Sequence, residues 1–290
     1  MRLAILSGKG GTGKTTVAVN LAVAFASARA TVYADYDVEE PNGFIFLQPQ
    51  IVSTRVVTST YPVIGEECEP CGVCSAACTS HALAEVGGRV LVFPEICHGC
   101  GTCTLACPRG AIREKARPIG ELRSGTARDG LACSEGILRE GETLAMTVIQ
   151  RLREFAERDA GRGAQGSIVI ADCPPGSSCE VMHAAEGSDL ALLVAEPTAF
   201  GLHDLGLAVR LARHLELPAA IFVNKDDGSG FIDRYATQAG LPIVGRLPFD
   251  LEIARVTARG ALLMDDRRYA DTFIELAAAV SGLAGRSRTA

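Results

Sequence analysis

The sequence is poor in aromatic residues, has no long apolar run and carries no excess of positive charge. Tryptophan is absent and aromatic residues make up 5% of the 290, whereas 48% are hydrophobic, a composition that suits an α/β core of Val, Ile, Leu and Ala. No apolar stretch approaches the ~20 residues of a membrane span, and no signal peptide is recognisable ahead of residue 8. The net charge of −6 disfavours a broad nucleic-acid-binding face. We therefore expect a cytoplasmic protein with neither a membrane nor a nucleic-acid partner.

A glycine-rich segment, LSGKGGTGKTT, occupies residues 6–16. Gly8, Gly13, Lys14 and Thr15 fit the pattern G-x-x-x-x-G-K-[ST], and they lie between an apolar, strand-like run and an alanine-rich segment with helical spacing. In such a strand–turn–helix context, backbone N–H groups and the helix N-terminus bind phosphate. We expect Lys14 to reach the β- and γ-phosphates of a nucleotide and the Thr15 hydroxyl to ligate Mg²⁺.

The chain contains eleven cysteines, an unusual number for a reducing compartment in which disulfides are rare. Eight of them form two copies of C-x₂-C-x₂-C-x₃-C, in CEPCGVCSAAC and CHGCGTCTLAC. This spacing is typical of proteins with two 4Fe–4S clusters, in which the fourth cysteine of each run ligates the other cluster. Structural zinc is the alternative, but two identical four-cysteine runs favour clusters. The predicted ligands are Cys68, Cys71, Cys74 and Cys107 for the first cluster, and Cys78, Cys97, Cys100 and Cys103 for the second.

The glycine-rich segment and the duplicated cysteine run together resemble a known family, the MinD-superfamily P-loop ATPases with an inserted two-cluster ferredoxin domain. That superfamily includes the nitrogenase iron protein and the Mrp-type iron–sulfur carriers. The resemblance covers essentially the whole chain. It implies a MinD-like P-loop ATPase domain over residues 1–61 and 116–290, interrupted by an α+β bacterial-type ferredoxin domain over residues 62–115. The alternation of strands and helices by itself predicts an α/β fold with a mostly parallel sheet and a ligand at its carboxyl edge.

The resemblance also accounts for the second lysine of the loop. In this superfamily the loop reads K-G-G-x-G-K-[ST], and the first lysine reaches across a homodimer to the nucleotide of the other subunit. Lys9 would then stabilise charge on the transferred phosphate of the partner, as an arginine finger does, while Lys14 holds its own nucleotide. The implied nucleotide-binding residues of the loop are Gly8, Lys9, Gly10, Gly11, Thr12, Gly13, Lys14, Thr15 and Thr16.

Three aspartates follow predicted strands in the order that the family requires. By the resemblance, Asp37 activates the attacking water, Asp35 supports the magnesium shell, and Asp172 occupies a Walker B-like position ahead of a switch II-like Pro174–Gly176 segment. The predicted catalytic residues are therefore Lys9, Lys14 and Asp37. The predicted magnesium residues are Thr15, Asp35, Asp37 and Asp172.

Two later segments bear on the choice of nucleotide. In the family, the asparagine at the end of the fifth strand and the backbone of the P-F-D turn hold adenine, which assigns this role to Asn224 and Pro248. The segment from Asn224 to Asp227 also fits N-K-x-D, the guanine-reading motif of GTPases. The family resemblance favours ATP over GTP.

Three cysteines lie outside the two runs. Cys133 is expected to be a small buried hydrophobe. Cys173 and Cys179 are spaced C-x₅-C, which leaves two interpretations: a further thiolate pair near the dimer face, or ordinary packing together with a thiol at a helix start.

Two functions remain open at this point. The first is an ATPase, slow without its partner, in which the nucleotide state controls electron transfer by two 4Fe–4S clusters. The second is an ATP-dependent carrier or maturation factor for iron–sulfur or other metal-cluster assembly. Two fully ligated clusters favour the first, and the Mrp-like switch II segment favours the second. Both functions imply ATP, Mg²⁺, a homodimer with nucleotide at its interface, and a redox or metal-cluster protein as partner.

Overall fold

The computed structural model describes residues 1–161 and 167–287. The strands are β1 (Arg2–Leu6), β2 (Thr31–Asp35), β3 (Gln50–Ile64), β4 (Leu83–Val86), β5 (Arg89–Val92), β6 (Ile112–Thr126), β7 (Ala132–Leu138), β8 (Ile168–Asp172), β9 (Leu190–Ala195), β10 (Ala219–Asp226) and β11 (Ile243–Pro248). The helices are α1 (Lys14–Ala26), α2 (Gly43–Leu47), α3 (Val73–Ala76), α4 (Thr102–Ala106), α5 (Ala145–Gly161), α6 (Cys179–Ala185), α7 (Ala199–His214), α8 (Phe231–Ala239), α9 (Leu251–Ala258) and α10 (Arg267–Ser287).

A large mixed sheet forms the centre of the molecule, in the order β11-β10-β9-β1-β8-β2-β7-β6-β3. The strands from β11 to β7 pair in parallel, whereas β6 pairs antiparallel with β7 and β3 antiparallel with β6. The predicted α/β fold with a mostly parallel sheet is therefore confirmed, and the antiparallel strands are confined to one edge.

Helices cover both faces of the parallel strands, which explains why strands such as RLAIL of β1 are buried throughout. On one face, α1 and α10 pack over β1, β8, β9 and β10, where Phe222 stacks on Phe273. On the other face, α5, α6, α7 and α8 enclose a second apolar core that includes Val148 and Leu152. Among the described helices, none is both long and apolar enough to cross a membrane.

Strands β3 and β6 extend well beyond the sheet. The pairing of β6 with β7 ends at Gly120, opposite Leu138. From there residues 58–64 and 112–118 continue as a two-stranded ribbon, which carries residues 65–111 at its far end. We call these two parts the ribbon and the insert; the insert contains α3, α4 and the small β4–β5 sheet. The predicted domain boundaries, 61/62 and 115/116, both fall within the ribbon.

Candidate nucleotide and iron–sulfur sites

The glycine-rich loop connects β1 to α1, as the motif requires, and three of its four glycines, Gly8, Gly11 and Gly13, are required by close packing or by backbone conformation. Gly11 and Gly13 have φ of 77° and 86°, in the left-handed region that favours glycine. A Cβ on Gly13 would lie 2.2 Å from Asn224 Nδ2, and one on Gly8 would lie 2.1 Å from the Asp204 carbonyl oxygen. The chain therefore packs against the back of this loop so closely that only glycine fits.

The predicted magnesium carboxylates come together at the carboxyl edge of the sheet. Asp35 and Asp172 are paired neighbours on β2 and β8, and both are fully buried. The Tyr33 hydroxyl lies 3.0 Å from Asp172 Oδ2 and 3.2 Å from Asp35 Oδ2, and Lys14 Nζ lies 3.8 Å from Asp172 Oδ1. The backbone N–H of Gly43, at the start of α2, donates to Asp35 Oδ2 at 2.8 Å. Two adjacent strands thus hold two carboxylates beside the P-loop lysine.

The electrostatics of this group fit a divalent cation. Burial raises the pKa of Asp35, and the neighbouring Asp172 raises it further. Burial also raises the pKa of Asp172, although Lys14 opposes this effect. Burial raises the pKa of Asp37 to about 6. Asp172 Oδ1 is buried without a hydrogen-bond partner among the described residues. Mg²⁺ prefers carboxylate oxygens and would compensate both the paired charges and this oxygen.

An open cavity extends from the P-loop over switch I, the segment Asp37–Glu40 that follows β2. Its walls also include Ile45 and Phe46 of α2 and Thr257 and Gly260 at the end of α9. These four residues were missed by the sequence analysis, because neither helix carries a recognisable nucleotide-binding pattern. The cavity thus leaves space for a ligand between the loop and two apolar side chains, Ile45 and Phe46.

Asn224 binds the P-loop itself, since its Nδ2 donates to the Thr12 carbonyl oxygen at 2.7 Å. Lys225 Nζ similarly donates to the Gly11 carbonyl oxygen at 2.8 Å. The Asp227 carboxylate accepts from the Ser229 backbone N–H at 2.9 Å. Neither Asn224 nor Pro248, at the end of β11, lines the P-loop cavity. The structure thus gives Asn224 a role in fixing the loop, and its predicted contact with adenine stays a prediction.

Lys9 is paired with Glu196, a residue that the sequence analysis did not single out. Lys9 Nζ lies 2.6 Å from Glu196 Oε1, and Lys225 Nζ lies 3.0 Å from Glu196 Oε2. Although burial raises the pKa of Glu196, the hydrogen bonds from the two lysines hold it below its ordinary value. Glu196 follows β9, next to the strand that leads into the P-loop, but no motif in the sequence marks it.

Each predicted set of four cysteines lines one cavity of the insert. Cys78, Cys97, Cys100 and Cys103 surround a cavity that also contacts Thr60–Pro62 and Glu114 of the ribbon. Cys68, Cys71, Cys74 and Cys107 surround a second cavity, together with Val73, Val90 and Ile112. The last cysteine of each run therefore lies at the cavity of the other run, and its ligation of a cluster there stays a prediction.

The donor chemistry of both cavities, four cysteine thiols each, is that of an iron–sulfur cluster site. A cubane needs thiolates spread around a volume, whereas a zinc ion needs them to converge on a point. In the part of the chain that the structure describes, no three His, Cys, Asp or Glu side chains converge on a single metal position. Two buried apolar side chains, Leu83 and Ile112, pack in one cluster with Cys74, Cys78, Cys103 and Cys107, whereas Cys71 and Cys100 are exposed.

Local hydrogen bonds favour the thiolate form at three of the eight cysteines, whereas burial raises the pKa of Cys74 and Cys103. Although burial raises the pKa of Cys78, the Ser80 hydroxyl and backbone N–H groups hold it below its ordinary value. The Thr102 hydroxyl likewise lowers the pKa of Cys100. Backbone N–H groups lower the pKa of Cys107. These donors come from tight turns of the two loops, so the loops supply hydrogen bonds as well as thiols.

The three remaining cysteines play no part in these cavities. Cys133 and Cys173 are 1% and 0% exposed, and burial raises the pKa of each to about 12. Cys179 is exposed at the start of α6. Because Cys173 is enclosed in the core, the hypothesis of a Cys173–Cys179 thiolate pair at a dimer face was wrong, and ordinary packing accounts for Cys173.

The sheet order, the P-loop and the buried aspartates define a P-loop ATPase fold of the MinD-like class. A family model described as "CobQ/CobB/MinD/ParA nucleotide binding domain" matches residues 3–263, and the chain therefore belongs to that family. The fold is similar to that of the septum site-determining protein MinD complexed with Mg-ADP from Pyrococcus horikoshii, with a TM-score of 0.60, 21% identity, and 99% of this chain and 98% of that chain covered. It is also similar to MinD of Aquifex aeolicus, with a TM-score of 0.58, 17% identity, and 97% and 96% covered.

Sequence relatives extend over nearly the same length. An uncharacterized protein of Methanocaldococcus jannaschii is 28% identical over 266 residues, covering 91% of this chain and 90% of its own. A protein of Pyrococcus horikoshii named iron-sulfur cluster carrier protein is 25% identical over 295 residues, covering 95% of this chain and 84% of its own. Both alignments therefore extend over more than nine-tenths of this chain.

Proposed function

We propose that this protein binds and hydrolyses ATP and couples its nucleotide state to electron transfer by two 4Fe–4S clusters. The observation that carries the proposal is the physical connection between two sites. The insert, with two complete sets of four thiols, is joined to the P-loop sheet by two unbroken strands, β3 and β6. A change in the ATPase sheet can therefore be passed to the insert through ordered backbone.

Each nucleotide-site residue has a distinct part in this proposal. The loop N–H groups and Lys14 bind the β- and γ-phosphates, and Thr15 and Asp172 hold Mg²⁺, which supplies charge compensation when it is bound. Asp37 accepts a proton from the attacking water; its pKa of about 6 suits a base near neutral pH. Lys9 leaves Glu196 and reaches the nucleotide of a second subunit, where it stabilises charge on the transferred phosphate.

The eight insert cysteines hold the two clusters in the sets described above, and the clusters supply one-electron redox chemistry when they are bound. Leu83 and Ile112 cover part of each cavity with apolar surface, and the serine and threonine hydroxyls beside Cys78 and Cys100 stabilise thiolate charge. Hydrogen bonds and burial are the means by which a protein tunes such centres. This chain uses both.

A second candidate function is an ATP-dependent iron–sulfur carrier. It is supported by the Pyrococcus relatives named iron-sulfur cluster carrier protein and by the exposure of Cys71 and Cys100, one in each set of ligands. Exposed thiols allow an acceptor protein to approach. Electron transfer is favoured because four thiols at each cavity provide complete ligation, whereas delivery requires a labile site.

Anaerobically purified, full-length protein tests the coupling. Reduction potentials and the rate of iron loss to a chelator are measured without nucleotide, with Mg·ADP and with Mg·ATP, for the wild type, for the trapping variant Asp37→Ala and for the non-binding control Lys14→Ala. We expect Mg·ATP to change the reduction potentials, the rate of iron loss or both in the wild type and in Asp37→Ala. In Lys14→Ala we expect both quantities to stay unchanged. Identical values in all nucleotide states would show that the two halves are merely fused. Stoichiometric transfer of iron and sulfide to an apo-ferredoxin would instead favour the carrier.

A further inference from the structure

We propose that a hydrogen-bonded junction transmits the nucleotide state from switch I to the root of the ribbon, the end at which the ribbon leaves the sheet. The cavity that responds is the one lined by Cys78, Cys97, Cys100 and Cys103. The junction consists of Val38, Leu138, Arg139 and Ile119, together with the ion pair of Arg117 and Glu142. The inference rests on the proposed coupling of nucleotide state to the clusters and identifies its path.

Two backbone hydrogen bonds connect the catalytic segment to the ribbon. The carbonyl oxygen of Val38, the residue after Asp37, accepts from the Leu138 N–H at 2.7 Å. The next N–H, that of Arg139, donates to the carbonyl oxygen of Ile119 at 2.9 Å. Switch I and β6 are thus hydrogen-bonded to two consecutive residues at the end of β7. A displacement of switch I can therefore reach β6 through the end of β7.

Ile119 occupies a bulge at the point where the ribbon leaves the sheet. Val57 pairs with Gly120 and Thr58 with Pro118, which leaves Ile119 without a partner on β3. Its side chain is nevertheless fully buried in the core beneath α5. A bulge bends and twists its strand, so the buried Ile119 sets the direction in which the ribbon projects.

The segments at the junction pack so closely that not even a Cβ would fit between them. A Cβ on Gly136 would lie 2.9 Å from Val38 Cγ1, and one on Gly120 would lie 2.5 Å from the Ile137 carbonyl oxygen. Close-packed interiors transmit displacement instead of damping it. A movement of Val38 on nucleotide binding must therefore displace β7, β6 or both.

The ion pair of Arg117 and Glu142 ties the ribbon to the loop before α5, and it is incompletely satisfied. Both side chains are largely buried, at 14% and 8% exposure. Arg117 Nε and Nη2 and Glu142 Oε2 lack hydrogen-bond partners in the described part of the chain. Such groups destabilise the arrangement that buries them. The pair is therefore suited to rearrangement between two positions of the ribbon.

One thiol cavity lies directly on the ribbon, nearer its root than the other. The cavity of Cys97 and Cys100 contacts Thr60–Pro62, and a Cβ on Gly99 would lie 2.5 Å from Ser59 Oγ and 3.0 Å from the Thr60 carbonyl oxygen. The other cavity meets the ribbon only at Ile112, its far end. A change in the ribbon thus reaches the loop of Cys97–Cys103 first.

Hydrogen exchange of the full-length, anaerobically prepared holoprotein tests this path. We expect Mg·ATP, relative to Mg·ADP, to change amide exchange about threefold or more in residues 58–64, 112–118 and 97–103, with a smaller change in 68–74. Arg117→Met should abolish the change at the ribbon and insert while ATP binding and iron content stay at wild-type values. Arg117→Lys keeps the positive charge of the ion pair, so it should retain the change in amide exchange at the ribbon and insert. Arg113→Met, at an exposed position of the same strand, is the matched control.

The outcomes separate this inference from the proposed function. If Mg·ATP alters wild-type iron release but Arg117→Met and the isosteric Glu142→Gln both retain the full exchange response, the junction is not the path and the coupling itself stands. If exchange changes at 68–74 and not at 97–103, the assignment of the responding cavity is wrong. If wild-type iron release and potentials do not depend on nucleotide, the proposed function fails first. If Arg117→Met does not fold, the amide exchange of Glu142→Gln alone decides whether the junction is the path.

Discussion

Lys9 Nζ lies 2.6 Å from Glu196 Oε1 of the same chain. In the single chain, the lysine that the family resemblance assigns to the partner's nucleotide therefore forms an ion pair within its own subunit. Glu196 also holds Lys225, whose ammonium binds the P-loop backbone at Gly11. To act on a second subunit, Lys9 must exchange this carboxylate for a phosphate, and the exchange can occur only when the two subunits meet.

The two loop lysines should separate binding from turnover. Lys14→Ala should abolish ATP binding, because Lys14 lines the P-loop cavity beside Asp172 and is the residue proposed to bind the β- and γ-phosphates. Lys9→Ala should bind ATP normally and lose about 100-fold in turnover, the scale expected for removing one group that stabilises developing charge. Isothermal titration and steady-state hydrolysis measure the two effects, with Lys115→Ala on the ribbon as the control. Normal hydrolysis by Lys9→Ala would rule out a role in the partner's site.

Asn224 offers a test of base recognition against loop support. Its side chain donates to the Thr12 carbonyl oxygen, so Asn224→Ala should loosen the loop and weaken ATP and GTP binding by the same factor, about tenfold for one lost buried hydrogen bond. Asn224→Asp replaces the donor with a buried carboxylate that repels the Thr12 carbonyl oxygen, so it should weaken the binding of both nucleotides more than Asn224→Ala does. A change in the ATP-to-GTP preference would mean that Asn224 reads the base instead.

The iron content should follow the cavity assignments. Wild-type protein should contain about eight irons and eight sulfides per chain, two cubanes of four. Cys100→Ser should remove about four of each, because Cys100 lines only one cavity, and Cys179→Ser should remove none, because it lies outside both. Iron and acid-labile sulfide assays measure this directly. Zinc in place of iron, without sulfide, would refute the cluster assignment.

Thiol reactivity should distinguish Cys173 from Cys179. In the native protein a maleimide should modify the exposed Cys179 within minutes and leave Cys173 unmodified, since Cys173 is fully buried with its pKa raised to about 12 by that burial. Mass spectrometry of peptides with and without denaturant gives the two rates. Equal native rates would mean that the core around Cys173 opens readily.

Glu135 should make stability depend on pH. It is buried on β7, where burial raises its pKa to about 7 despite the opposing charge of Arg123. Between its ordinary value of 4.5 and 7, the folded protein retains a proton that the unfolded chain releases, so stability falls as pH rises through this window and the loss is complete above it. Glu135→Gln stays neutral and should gain roughly 2 to 3 kcal/mol over the wild type between pH 5 and pH 8.

Thermal unfolding midpoints across that range measure the gain. The exposed Glu275→Gln is the matched control and should show a constant difference from the wild type. A Glu135→Gln advantage that does not increase with pH would mean that Glu135 is ionised in the folded protein throughout the range.

Local sequence patterns predicted the features that depend on local spacing. The P-loop glycines, the aspartates that end β2 and β8 and the cysteine spacing each require residue types at fixed separations, so the sequence displays them directly. Glu196 could not be predicted in this way, because its contact with Lys9 joins residues far apart in the chain. The role of Asn224 at the loop depends on the packing of β10 against the P-loop, which no motif encodes.

The ribbon illustrates the same limit on a larger scale. Residues 50–64 alternate irregularly between polar and apolar side chains, since half of β3 lies at the sheet edge and half lies outside the sheet. The sequence therefore indicated an insert but not the continuous strands that carry it. The bulge at Ile119 is likewise invisible, because it arises from the mismatch of two strands paired across more than fifty intervening residues.

Each cysteine run contributes its last cysteine to the cavity of the other run, so neither run forms a complete cavity alone. Cys107 lies at the cavity of the first run and Cys78 at that of the second. Neither run can be excised as a half-sized module, because its removal would also take away the fourth cysteine of the other cavity. Filling one cavity fixes the chain at both runs and so lowers the ordering cost of filling its neighbour. We therefore expect cooperative loading of the wild-type protein, in which filling one cavity favours filling the other and half-filled wild-type protein is scarce.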